Sequence, residues 1–326
     1  MVTAIEPLLR EQLIDRRQKL ESAGRGFVEA TEISHLLAEV DEALRRMELG
    51  TYGLCDVCDE PVETERLIAN PLTRLCIDHL TRQQQRALEA DLELAARIQT
   101  GLLPLPSQKI DGWEIAYHYQ PAGIVSGDYC DLISSSDQSL LFVLGDVSGK
   151  GVAASMLMAH LQAMFRTLIS INLPLEEIVE RASRVFCEST LPTHYATLVC
   201  GKASPSGAIE ICNAGHLPPL LLRQGQAQSI EATGLPLGIF GNEHFSVSRF
   251  QMQKGDTLFL YTDGLSETRD GEGREYGAER LSSLLIQNAG LGAKALLTNC
   301  VRQVDAFRIT DSPTDDVTLM AIQRMD

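Results

Sequence analysis

Between residues 113 and 264, six apolar segments recur: WEIAYHY, SLLFVLGD, YATLVCGKA, GAIEICNAG, LPPLLLR and DTLFLYTDG. Each is rich in β-branched, leucine and aromatic residues and is bounded by turn formers, which is the pattern of a strand. Strands that follow one another without intervening helices imply largely antiparallel sheets, with helices packed outside. Helices are expected at about 150–170, 174–190, 277–288 and 292–309, and VTLMAI closes the chain as a last strand. The fold class this predicts is α+β.

The first third is different. Residues 5–49 read as helix broken near Gly24 and Gly26, with Ile33, Leu36, Leu37, Val40, Leu44 and Met47 forming one apolar stripe. Gly50 and Gly53 end it, and a compact cysteine module follows to about residue 80. A further helix runs to Leu103 and is stopped by Pro104. Leu88, Leu92, Ala95 and Leu102 share a seam with polar Gln99 among them. That seam is either a short coiled coil, and so a homodimer contact through 81–103, or a helix packed on its own domain. The expected organisation is a module at 1–80, a helical linker at 81–103 and a large domain at 104–326.

Four acidic positions stand where an apolar strand begins or ends: Asp128 in SGDYCD, Asp146 in LGDVSGKG, Asp263 in YTDGLSE, and Asp315 with Asp316 in TDDVTLM. One Asp-Gly at a strand end is ordinarily a turn. Four of them, on strands that can be neighbours, point to one edge of a sandwich. Carboxylates gathered there repel one another unless a divalent cation neutralises them. Oxygen ligands with no adjacent histidine favour Mg²⁺ or Mn²⁺ over zinc.

At these residues the sequence resembles the PPM-type (type two C) metal-dependent serine/threonine phosphatases, and most closely their RsbU/SpoIIE-like branch. The stretches that carry the resemblance are AARIQTGLLP, PAGIVSGDYCD, LGDVSGKGVAASMLM, NAGHLPPLLL, TGLPLGI, LYTDGLSETRDGEGREYG and DDVTLM. They cover nearly all of 94–326 in the family's order. The resemblance implies an αββα sandwich and two metal ions. Asp146 would bridge the ions, with the Val147 carbonyl as a further ligand. Asp128, Asp263 and Asp315 would complete the set, with Asp316 the alternative to Asp315. It also implies that the metals activate a water for in-line attack on a phosphoserine or phosphothreonine, without a covalent phospho-enzyme. Lys150 stands where other members have histidine; it either donates to phosphate or heads the helix at 150–170. His216, in NAGH, reads as a turn-stabilising residue more readily than as a general acid. The branch's usual substrate is a phosphorylated regulatory protein, an anti-sigma-factor antagonist.

Residues 55–79 read CDVCDEPVETERLIANPLTRLCIDH, a C-x₂-C-x₁₇-C-x₂-H spacing that closes a tetrahedral zinc site across a loop. ELGTYGLCDVC followed by RLIANPLTRLC is similar to the DksA/TraR-type zinc finger. Cys55, Cys58 and Cys76 match its ligands, and His79 replaces its fourth cysteine, giving one structural Zn²⁺. In that family the zinc finger accompanies a coiled coil that enters RNA polymerase. Here the helices are short, so a folded cap or sensor on the phosphatase is preferred over polymerase binding. The other cysteines, Cys130, Cys187, Cys200, Cys212 and Cys300, lie in apolar surroundings and read as small buried hydrophobes.

Charge narrows the partners. Residues 1–103 hold 12 Lys+Arg against 19 Asp+Glu (−7), and residues 104–326 hold 16 against 25 (−9), which sum to the −16 of the whole chain. Neither part has the basic excess that nucleic-acid backbones require, so no direct nucleic-acid partner is expected. No run of ~18 uninterrupted apolar residues marks a membrane span, and the charged N-terminal segment lacks a signal-peptide core, so the expected location is the cytoplasm.

Overall fold

The computed structural model describes residues 2–23, 30–135, 138–171, 173–309 and 313–326. The chain forms two compact units, Met1–Asp91 and Leu92–Asp326. Unit 1 begins with helices α1 (Val2–Ala23) and α2 (Ala30–Glu48). The expected break near Gly24 and Gly26 falls between them, outside the described residues. On α2, Val40 and Met47 are buried against Leu9 and Leu13 of α1, while Leu44 packs beside them. The side chain of Ile33, at the start of the expected stripe, lies outside the described residues. The cysteine module follows, with one short helix, α3 (Thr64–Ala69), and a 3₁₀ turn at Ile77–His79. Helix α4 (Arg82–Leu102) comes next, and the division between the units falls inside it.

Unit 2 is an αββα sandwich. Its strands are β1 (Ser107–Ile110), β2 (Trp113–Gln120), β3 (Tyr129–Ser134) and β4 (Leu140–Val147), followed by helices α5 (Gly151–Ile169) and α6 (Leu175–Ser189). Then come β5 (Ala196–Ala203), β6 (Ala208–Ala214), β7 (Leu220–Arg223), β8 (Gln226–Ser229), β9 (Ser248–Gln251) and β10 (Thr257–Tyr261). The one-turn α7 (Asp263–Ser266), α8 (Gly277–Gln287), α9 (Ala293–Phe307) and β11 (Val317–Arg324) complete it. One sheet has the order β1-β2-β11-β10-β7-β8, the other β3-β4-β5-β6-β9, and every pairing is antiparallel.

The strands read as continuous apolar runs because both faces are covered. On β4, Leu140, Phe142 and Leu144 point into the inter-sheet core, and Leu141, Val143 and Val147 point out against α5 and α6. On β10, Leu258 and Leu260 enter the same core, while Phe259 and Tyr261 meet α8 and α9. Helix α5 is long and apolar enough to cross a membrane by length and composition. Ala154, Met158, Leu161, Phe165 and Ile169 bury one side of it in the domain, which makes it a core helix. Cys130, Cys200, Cys212 and Cys300 are buried free thiols, as expected, and Cys187 is half-buried.

Candidate functional site

At one end of the sandwich four segments meet: the loop before β3, the end of β4, the β10–α7 junction and the start of β11. Antiparallel pairing sets Tyr129 opposite Gly145, which brings Asp128 beside Asp146. In the other sheet Tyr261 pairs with Leu319, so Asp263 and the Asp315–Asp316 pair emerge together. Gly264 lets them approach: a Cβ there would stand 2.0 Å from the Asp316 carbonyl oxygen. Gly127 does the same between the neighbouring strands β3 and β4, since its Cβ would meet the Val147 carbonyl oxygen at 3.1 Å.

Two of the acids join the sheets. Asp128, 1% exposed, accepts hydrogen bonds from the hydroxyls of Thr262 (3.0 Å) and Thr318. Asp316 accepts from the backbone amides of Ala122 (2.8 Å) and Gly127 (2.9 Å), one on each oxygen. Asp315 has a different environment: it is partly exposed and paired with Lys150 at 2.8 Å. The adjacent acids therefore have separate surroundings, Asp316 tied into the loop and Asp315 facing the rim. Lys150 immediately precedes the first residue of α5, which is the helix-heading position, and its ammonium pairs with Asp315.

Like charge accumulates here. Burial, followed by the charges of Asp263, Asp315 and Asp316, pushes Asp146 up to about 7. Burial and Asp315 raise Asp263, and burial and Asp146 push Asp128 well above the carboxylate range. Such a set stores repulsion that divalent cations would relieve, and its donors are all hard oxygens. Asp128, Asp146, Asp263, Asp315 and the Val147 carbonyl therefore fit Mg²⁺ or Mn²⁺ in chemistry. The arrangement is a shared rim and not a tight cluster.

Three supporting residues were not legible as such from the motifs. Gln99 of α4 is buried and grips Ser126 twice, Nε2 donating to the Ser126 carbonyl at 2.7 Å and Oε1 accepting its amide at 2.9 Å. It appeared in the sequence only as the polar member of an apolar seam. Asp131, 0% exposed, takes a two-pronged pair from Arg166 of α5 at 2.6 and 2.8 Å. His216 is buried, and its Nδ1 accepts from the Thr197 hydroxyl at 2.8 Å while Nε2–H donates to the Tyr261 carbonyl at 3.1 Å. It spans β5 and β10 and so braces one sheet against the other. Burial lowers it to about 4, which keeps it neutral.

Unit 1 carries a second site. Cys55, Cys58, Cys76 and His79 form the only group of three or more His, Cys, Asp or Glu, among the described residues, whose ligand atoms lie within 4.8 Å of one another. Cys58 and Cys76 sulfurs are 3.8 Å apart, and Cys76 Sγ is 3.1 Å from His79 Nδ1. Asp59 (φ 58°) completes the first turn, its amide donating to the Cys55 carbonyl at 3.0 Å. The 3₁₀ turn sets the second pair, and Glu63 Oε1 fixes it by accepting the Ile77 amide at 2.9 Å. Burial pushes the Cys55 thiol up, but amides of Cys76, Val57 and Cys58 outweigh it and bring it down. Burial and the Cys55 and Cys58 sulfurs push Cys76 up. Three sulfurs and a ring nitrogen this close together fit Zn²⁺ in chemistry.

An antiparallel two-sheet sandwich with helices outside and an acidic rim at one end defines the class of unit 2. The Stage II sporulation protein E (SpoIIE) family matches residues 136–325, and the chain belongs to that family. The prokaryotic dksA/traR C4-type zinc finger matches residues 50–78, so His79 lies one residue past the matched segment. Protein IcfG of Synechocystis is 27% identical over 72% of this chain and 41% of its own length. Phosphoserine phosphatase RsbU of Bacillus subtilis is 24% identical over 76% of this chain and 74% of its own. The solved RsbU and RsbW domains of Rv1364c from Mycobacterium tuberculosis superpose with a TM-score of 0.60 at 30% identity, covering 68% of this chain and 63% of that one. The chain thus spans less than half of IcfG and about three quarters of RsbU.

Proposed function

We propose that unit 2 is a metal-dependent protein serine/threonine phosphatase that removes phosphate from a regulatory protein, an anti-sigma-factor antagonist. The observation that carries this is the meeting of Asp128, Asp146, Asp263 and Asp315 from both sheets at one rim, where burial and like charge raise Asp146 and Asp263. The name of RsbU, a phosphoserine phosphatase, supports the reaction class.

Asp146, Asp128, Asp263 and Asp315, with the Val147 carbonyl, are the residues that would hold two Mg²⁺ or Mn²⁺ ions, and Asp316 holds the loop behind them. Bound there, the ions would acidify a water and offset charge on the phosphoryl oxygens. Thr262 and Thr318 orient Asp128, and Gln99 and Asp316 keep residues 126–127 against the rim. Lys150, which pairs with Asp315, would turn its flexible four-carbon stem to a substrate phosphate. The test is hydrolysis of p-nitrophenyl phosphate with Mn²⁺. Activity in the parent and none in Asp146→Ala is the expected result; equal rates in both would end the proposal.

The Cys/His set is proposed to hold one structural Zn²⁺, and the organisation is proposed to be 1–80, 81–103 and 104–326. The 81–103 helix is proposed as the homodimer contact and regulatory linker, and the cytoplasm as the location. RNA polymerase is the rival partner, favoured by the match at 50–78. Co-purification with polymerase by a chain inert toward phosphate esters would replace the first reading with this one.

A further inference from the structure

Helix α5 is the most apolar helix of unit 2, yet only part of it is covered. Its inner side packs in the core, while Met156 is 68% and Val152 45% exposed. Four residues apart, they share one face of the helix. Beside them the turn after α6 exposes Leu191 (65%) and Tyr195 (44%), and the 235–241 loop exposes Phe240 (57%) and Ile239 (44%).

These segments are tied together. His160 of α5, one turn beyond Met156, bonds Ser189 at the end of α6 at 2.8 Å. Ala196 pairs with Leu237, and the Gly238 backbone lies against Phe186 and the His194 carbonyl. The surface also begins at the rim: Tyr195 exchanges two hydrogen bonds of 2.9 Å with Ser148, two residues after Asp146. Val152 follows Lys150 by two residues. Met156 is about 8 Å further along the helix than Gly151.

The segments that present these apolar side chains are themselves uncharged. No Asp, Glu, Lys or Arg occurs in 151–165, 190–201 or 232–242, in a chain of net charge −16. An uncharged apolar surface of this kind beside an acidic rim is where a partner is expected to sit.

Resting on the phosphatase reading, we propose that this face is the docking surface for the folded phosphoprotein substrate. A phosphoserine can reach the rim only if the body of its protein overlies what flanks the rim. A specific interface covers about 800 Å² on each partner, far more than a phosphoserine side chain does. The substrate is therefore a folded protein whose phosphorylated serine is bordered by apolar, uncharged surface, and not a charged, extended phosphopeptide. Small esters need only the rim.

The experiment compares the parent chain with Met156→Glu/Phe240→Ser on two probes, p-nitrophenyl phosphate and an anti-sigma-factor antagonist phosphorylated on serine in vitro. The expected result is a fall of about tenfold or more in kcat/KM for the phosphoprotein, with ester hydrolysis within about twofold of the parent. Leu191→Lys, far out on the surface, is the second variant, and should act in the same direction if the double variant folds poorly. Equal loss on both probes, or no loss on the phosphoprotein, overturns the docking surface. Unchanged phosphoprotein kinetics with a lost dimer in sedimentation, or lost binding to anionic vesicles, assigns the face to a second copy or to a lipid surface and overturns it as well. A parent inert toward the ester overturns the phosphatase reading itself, which separates the two failures.

Discussion

The thiol site of unit 1 and the carboxylate rim of unit 2 both gather groups that repel when ionised, but they do so by opposite means. Cys55, Cys58, Cys76 and His79 come from one stretch of 25 residues, counting from Cys55 to His79, and local turns close them to within 4.8 Å. The rim draws on residues from Asp128 to Asp315, and only the pairing of two sheets brings them near. A site local in the chain is closed by its own turns over a small core, here Tyr52, Cys55, Val62, Leu67 and Cys76 packed with α1 and α2. A site distant in the chain is held by the core behind it, and can carry repulsion without unfolding.

The sharpest way to break that contrast is to strip the metals. Structural zinc contributes about 10–16 kcal/mol to the folding of small modules. A strong chelator should therefore cost residues 50–80 their hydrogen-exchange protection. Trp113, the only tryptophan and 1% exposed in the inter-sheet core, should keep its fluorescence. Melting of Trp113 along with the module would erase the distinction.

The next effect is on the rim. Asp146→Ala should lower phosphate-ester hydrolysis about 10³-fold, roughly 4 kcal/mol of barrier. The same change removes a carboxylate held against burial and three like charges, so the thermal midpoint of unit 2 should stay level or rise by a few degrees. A fall in midpoint would mean that Asp146 supports the fold as well as the chemistry.

His216 probes the brace between the sheets. Its folded value of about 4 lies below the ordinary 6.5, so above pH 6.5 it is neutral folded or unfolded and costs nothing. As pH falls from 6.5 toward 4 the unfolded chain takes the proton first, and unit 2 loses up to roughly 3 kcal/mol. Urea midpoints read at Trp113 should drop across that window. His216→Gln should flatten the drop; an unchanged slope would assign the acid sensitivity to other groups.

Much of this was legible in the sequence, for physical reasons. Strands buried on both faces announce themselves as apolar runs, so β2, β4 to β7, β10 and β11 were readable. Strands β1, β8 and β9 are four residues each, mostly polar at the sheet margins, and gave no such signal. β3 begins inside SGDYCD, and its first three residues, with Asp131 buried among them, lack the uniform apolar run of the other central strands. Asp128, Asp146, Asp263 and Asp315 were visible because turn chemistry recurs where strands end. Thr262 and Thr318, which hold Asp128, were not, because threonine is ordinary in strands and its partner is far away in sequence. The separate surroundings of Asp315 and Asp316 likewise required the backbone amides of Ala122 and Gly127.

Gln99 gives the smallest effect and the finest test. Its two hydrogen bonds fasten the C-terminal part of α4 to Ser126, next to Gly127 and Asp128. Gln99→Ala would leave the Ser126 amide and carbonyl buried without partners, costing about 2 kcal/mol. Asp316 and the two threonines still hold the neighbouring positions, so the rim should loosen without collapsing. The expected result is a roughly tenfold fall in kcat at fixed Mn²⁺, partly restored at higher Mn²⁺, with little change in KM for a small ester. Thr100→Ala is the control, since that hydroxyl bonds back only to the Ala96 carbonyl within the helix. If both variants match the parent, α4 plays no part in positioning the rim, and the distant site depends on the sandwich alone. If only Gln99→Ala is slow, a single helix side chain sets the loop that the sheets leave adjustable.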